Sequence, residues 1–134
     1  MILFNPTGGT IRNDTTGKGY YGASRGSEIH EGLDWTLPQG VGQPVIATAT
    51  GLLKRVKYPY ADFFALAGIE VECSDLGYTM FYLDPLRELV GKIITAGQVV
   101  GYAQDCRIHY KEPKEGDLPH IHWQLDWINP IILF

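Results

Sequence analysis

The chain has 134 residues, a formal net charge of −4, 45% hydrophobic residues and 19% charged residues. That composition can bury one core, which excludes a disordered tail and suits a single domain over 1–134, loop-rich over 1–28 with its core over 29–134. No apolar run approaches the roughly 20 residues that span a bilayer. No basic stripe is present, so neither nucleic acid nor membrane insertion is expected.

The opening Met1-Ile-Leu-Phe-Asn-Pro-Thr-Gly-Gly has no basic n-region and no apolar h-region, so no secretory signal peptide is expected. Sixteen glycines and eight prolines favour turns and short strands over long helices. Residues 5–28 read as loop with turns. Pro44 to Thr50 alternates small and β-branched residues, stops at Gly51, and restarts over Leu52 to Tyr58. This pattern predicts a hairpin with its tip at Thr50-Gly51. In Ile69-Glu-Val-Glu-Cys73, Ile69, Val71 and Cys73 share one face and Glu70 and Glu72 the other, as in a strand with one wet face. A turn at Asp75-Leu-Gly77 leads to a strand over Tyr78 to Leu83, ended by Asp84-Pro85. Pro85 to Val90 reads as one helical turn, Val99 to Tyr102 as a short strand, and residues 103–119 as a long surface loop. Cys73 and Cys106 are too few for a disulfide scaffold and read as buried free thiols or a single bridge.

The last strand, His120-Ile-His-Trp-Gln-Leu-Asp-Trp127, carries the most information. Alternation places Ile121, Trp123, Leu125 and Trp127 on a core face, and His120, His122, Gln124 and Asp126 on the other. The expected fold class is mainly β, one domain on an antiparallel sheet, with long loops around a metal groove.

Among four histidines, two pairs stand out: His30-Glu-Gly-Leu-Asp34, of form H-x-G-x-D, and His120-Ile-His122, of form H-x-H. On a strand, His120 and His122 emerge side by side, about 6.5–7 Å apart at the backbone. A catalytic zinc takes three N or O ligands and leaves a position open. His30, Asp34 and one histidine of the H-x-H pair would supply three. The other histidine would act as general base or stabilise an oxyanion. Spacing alone also allows a pair of exposed strand histidines and an unrelated loop histidine.

His30-x-Gly32-x-Asp34, then Gly42-Gln-Pro-Val-Ile-Ala-Thr-Ala-Thr-Gly51, Gly97-Gln-Val-Val-Gly101 and His120-Ile-His122 together resemble the lysostaphin/LytM-type zinc metallopeptidases in order and rough spacing. Ile11-Arg12, Gly19, Tyr21, Ala23 and Arg25, with Met80-Phe81-Tyr82 and Asn129-Pro130, are also similar to leukocyte cell-derived chemotaxin, a signalling protein that shares the fold and zinc site without peptidase activity. The first resemblance implies one zinc ion on His30, Asp34 and His122, with His120 as a catalytic residue. Active members carry Y-x-H on a middle strand. Here Tyr82-Leu83-Asp84 matches, so Asp84 stands in place of the family histidine, as general base or as a charge opposing the oxyanion, and His109 is the candidate replacement imidazole. Cys106 reads as inert.

Tyr21, Arg25 and Tyr82 are candidate substrate contacts, and Tyr20 and Tyr58 either line a groove or cover the core. Trp35 is expected to pack behind Asp34. Trp123 and Trp127 are expected in the core, and Gln124 beside a ligand or facing solvent. The resemblance implies a zinc endopeptidase acting on peptide cross-links of bacterial peptidoglycan. Its alternative is a zinc-containing binding module without turnover, and a third reading is a metal-free structural component. Without a leader, delivery by a bacteriophage or phage-like particle, with tail or baseplate proteins as partners, or release from the host cytoplasm to act on the wall, is the expected localisation.

Overall fold

The computed structural model describes residues 2–14, 17–19, 24–25, 28–29 and 32–133. Its strands are β1 (Asn13–Asp14), β2 (Gly17–Lys18), β3 (Ser24–Arg25), β4 (Glu28–Ile29), β5 (Leu33–Thr36), β6 (Pro44–Ile46), β7 (Gly51–Lys57), β8 (Gly68–Glu72), β9 (Leu76–Phe81), β10 (Leu83–Pro85), β11 (Ile93–Ile94), β12 (Val99–Ala103) and β13 (His120–Ile128). Short 3-10 turns cover Arg87–Leu89, Cys106–His109 and Pro130–Leu133. A six-stranded sheet runs β11-β7-β8-β9-β13-β5 and a three-stranded sheet β10-β12-β6, with every pairing antiparallel. This is the mainly β, antiparallel architecture that the turn-rich composition predicts.

The core follows from alternation. Ile69 and Val71 of β8 are fully buried while Glu72 is exposed. On β9, Tyr78 and Met80 enter the same core, leaving Thr79 and Phe81 to the opposite face. The buried Tyr78 hydroxyl donates to the Ala49 carbonyl (3.3 Å) and accepts from the Thr48 amide (3.2 Å), so its one polar atom is satisfied. Leu53 of β7 is 0% exposed in this cluster. Leu53→Ala is expected to cost about 2–5 kcal/mol, by lost transfer energy plus the residual cavity. A urea titration would read this as a lower midpoint at unchanged slope.

Four expectations are corrected. Pro44 to Tyr58 is not a hairpin: β6 pairs with β12, whereas β7 pairs with β8 and β11. The chain changes sheets over 47–50, where small residues fit between the layers and Ala47 hydrogen-bonds Gln98 instead of a neighbouring strand (2.8 Å). Leu76 and Gly77 belong to β9, so the turn before it falls earlier than Asp75-Leu-Gly77. Residues 103–119 are not wholly surface loop, because Cys106 and Asp117 are buried and the Asp117 carboxylate accepts the Lys114 amide (2.7 Å). Finally, β13 outruns the core. Ile121 is buried, but Leu125 and Trp127 are 44% and 43% exposed. A bulge between Leu125 and Trp127 breaks the alternation there.

Candidate metal centre

Asp34 lies directly opposite His122 in the β5–β13 pairing, and His120 opposite Thr36. The N-terminal segment seals the other side of β5. The Arg12 amide donates to the Asp34 carbonyl (2.8 Å), and the Asp34 amide to the Gly19 carbonyl (2.7 Å). Arg12 is thereby buried. Its Nε donates to Asp34 Oδ2 at 3.1 Å and its Nη1 to Asp14 Oδ1 at 2.8 Å. Burial disfavours the guanidinium charge, but Asp34 and Asp14 outweigh it and hold Arg12 above its ordinary pKa. A Cβ on Gly19 would come within 2.6 Å of Asp34 Cβ, so only glycine allows this closeness.

Both histidines of the H-x-H pair turn toward Asp34. His122 Nδ1 is 3.1 Å from Asp34 Oδ1, and His120 Nε2 is 3.5 Å from Asp34 Oδ2. The opposite ring nitrogens are already committed. His120 Nδ1 donates to the Leu118 carbonyl at 2.9 Å, and His122 Nε2 donates to Gln124 Oε1 at 3.0 Å. Burial lowers the His120 pKa, with Asp34 only partly opposing it, so the ring stays neutral. In these tautomers His120 Nε2 and His122 Nδ1 present lone pairs to a carboxylate. Acceptors facing one another at such distances call for a cation between them. Gly32, inside the H-x-G-x-D motif, lets the chain pass close against the His122 ring. A Cβ there would collide with the Trp123 carbonyl and come within 2.8 Å of His122 Cε1. The donor set therefore fits a divalent ion.

Of the predicted ligands, the structure brings Asp34 and His122 together, while His30 lies outside the described residues, as do Tyr20 and Tyr21. Arg25 falls on β3, its side chain outside the description. Among the described residues, no group of three or more His, Cys, Asp or Glu is arranged to hold a metal ion. Gln124 sits beside His122, and Trp35 and Trp123 line an apolar pocket with Leu33 behind the β5–β13 pair.

Asp84 falls on β10, just after a kink at Tyr82. Tyr82, at φ 74°, is the non-glycine residue with positive φ among the described residues. Its amide donates to the Ala67 carbonyl (2.8 Å), and its carbonyl accepts from Gln104 (2.8 Å), which hold the chain in a conformation aromatic side chains rarely adopt. This kink separates β9 from β10. It sends the Asp84 carboxylate to the surface, where Oδ1 accepts from Arg87 Nη1 at 3.1 Å. Tyr82 instead meets His120 edge-on, with ring centroids 5.5 Å apart, and its hydroxyl shares a 3.0 Å hydrogen bond with that of Tyr60. Burial raises the Tyr82 pKa, so the phenol keeps its proton. His109 is likewise not presented to Asp34. It stacks on Tyr60 at 3.6 Å and tilts against Phe63.

Cys73 and Cys106 are both free and buried. Cys106 Sγ lies 3.5 Å from His120 Nδ1, a contact that no motif signals. Burial pushes its thiol up to about 11, bonds to His120 and Tyr110 opposing this in part. Because the folded pKa is raised, the native state holds this proton more tightly than the unfolded chain. The resulting stability is full below the ordinary thiol range and is lost as pH rises toward 11. The metal-free protein is expected to lose about 2–3 kcal/mol over that interval by urea titration, at about 1.4 kcal/mol per unit. A Cys106→Ala variant should lose correspondingly less.

No protein-family model matches the sequence, and no curated protein does. Solved structures match nearly the whole chain. One is a point variant of the catalytic domain of the prophage-encoded M23 protein EnpA from Enterococcus faecalis: TM-score 0.60, 21% identity, covering 92% of this chain and 85% of that one. Another is the catalytic domain of the antimicrobial peptidase lysostaphin from Staphylococcus simulans: TM-score 0.56, 19% identity, 90% of each chain. A zinc-containing peptidase from Vibrio cholerae matches with TM-score 0.57 and 25% identity over 92% of this chain, but only 36% of its own length. The protein has the fold of lysostaphin-type M23 peptidase domains. The chemotaxin resemblance rests on sequence motifs alone.

Proposed function

We propose that this protein is a zinc-dependent endopeptidase that cuts peptide cross-links of bacterial peptidoglycan. The observation that carries the reading is the convergence of His122 Nδ1 and His120 Nε2 on the Asp34 carboxylate, with the opposite ring nitrogens bonded to Gln124 and Leu118 and the carboxylate held by Arg12. Asp34 and His122 would hold the ion, with His30 as the third ligand of the H-x-G-x-D motif. Zinc in such a site supplies Lewis acidity, acidifying water and polarising a carbonyl.

The chain's own residues do the rest. Arg12 fixes the Asp34 carboxylate through its Nε. Leu118 fixes the His120 tautomer, leaving Nε2 free to take a proton from the attacking water and return it to the leaving amine. Tyr82 confines the His120 ring. The fold neighbours include peptidases whose names state zinc or lysostaphin activity, which supports this reading. EnpA is prophage-encoded, in keeping with delivery by a phage-like particle and tail or baseplate partners.

The surface position of Asp84, paired with Arg87, favours a second reading: a zinc-containing binding module that lacks the third imidazole of active enzymes. Release of new amino groups from purified peptidoglycan by zinc-loaded protein, with His122→Ala in parallel, separates the two. Release by the native protein alone supports the endopeptidase. Zinc retention without release from several wall types supports the binding module.

A further inference from the structure

His122 is backed by a hydrogen-bonded chain that ends at a fully buried hydroxyl. Its Nε2 meets Gln124 Oε1 at 3.0 Å, Gln124 Nε2 donates to Asp126 Oδ1 at 2.9 Å, and the Thr79 hydroxyl donates to Asp126 Oδ2 at 2.6 Å. Thr79 is 0% exposed and lies opposite Gln124 in the β9–β13 register. Asp126 is the extra residue of the bulge: β13 advances from Leu125 to Trp127 while β9 advances only from Tyr78 to Gly77. Bulges re-aim side chains, and here the re-aimed carboxylate reaches both Thr79 and Gln124.

The chemistry of this chain is directional. A carboxylate only accepts, so Asp126 must face the NH2 end of the Gln124 amide. That turns Gln124 Oε1 to the ring, and an acceptor there requires the hydrogen on His122 Nε2. Inverting the amide would set oxygen against oxygen at 2.9 Å. We infer that Asp126, anchored by Thr79, is a positioning residue that locks the Gln124 amide and so holds His122 as its Nε2–H tautomer, with Nδ1 turned to Asp34.

Asp126→Asn is the informative change. Asp126 is exposed, so the fold should tolerate it. With Thr79 still donating to the carbonyl oxygen, the new NH2 faces Gln124, its amide can invert, and the ring is released to the Nδ1–H form. Imidazole nitrogen shifts of the metal-free full chain, recorded by NMR above the histidine range, read this directly. The native protein should show His122 with protonated Nε2 and bare Nδ1; Asp126→Asn and Gln124→Leu should show a mixed or inverted pattern. Zinc dissociation constants should rise about 10–100-fold in both variants.

The zinc arm rests on the proposed function, and the tautomer arm does not. Altered shifts support the lock whatever happens to zinc; unchanged zinc affinity beside them, or a native protein that binds no zinc, would overturn the ligand role of His122. Native His122 protonated on Nδ1, or unchanged shifts in both variants whatever happens to zinc, would overturn the lock.

Discussion

Asp34→Ala is expected to abolish zinc uptake and, with it, release of amino groups from peptidoglycan. Asp34 is 2% exposed, accepts from Arg12 Nε, and is the carboxylate on which both histidines converge. Alanine removes a ligand and also weakens the partnership of a buried guanidinium. Breaking a buried ion pair typically costs about 3–5 kcal/mol. The lower end is expected here, because Asp14 still accepts from Arg12 Nη1. Asp34→Asn separates the two effects: it should retain more stability than alanine and still lose the metal, since a neutral amide is a poor ligand between two imidazoles. Metal analysis of dialysed protein, beside a urea titration, checks both. Full zinc content in Asp34→Ala would sink the assignment of the centre.

His120→Ala should behave in the opposite way, keeping zinc and losing turnover. The ring is buried, neutral, bonded through Nδ1 to Leu118, and confined by Tyr82 and Cys106. Such a group contributes as a proton carrier, and its removal is expected to lower the cleavage rate by about 10²–10⁴-fold. Single-turnover kinetics on a wall peptide, with bound zinc measured on the same sample, separate the two roles. Loss of zinc in His120→Ala would make His120 a ligand; retained rate would move the base elsewhere.

Much of this centre is legible in the sequence, because its rules are local. Two residues apart on a strand puts His120 and His122 on one face, and H-x-G-x-D brings Asp34 to the same chemistry with a glycine where a side chain would strike the ring. Alternation likewise reads β8 and the first half of β13 correctly. It fails at Leu125, where the strand outruns the core, and at Trp127, where one inserted residue reverses the later side chains.

What only the tertiary structure decided depends on contacts that no periodicity encodes. Arg12 reaches Asp34 because the N-terminal segment lies along the outer edge of β5. Tyr82, not Asp84, faces His120 because backbone hydrogen bonds to Ala67 and Gln104 hold one aromatic residue at positive φ, a cost that sequence-local propensity argues against. Pro44 to Tyr58 has the composition of a hairpin and divides between two sheets, because burial between layers outweighs pairing with the nearest strand. Local pattern determined which side chains carry the chemistry. Which of their neighbours fix a proton, a charge or a ring was set by segments distant in the chain, where packing chooses among conformations that local sequence leaves equal.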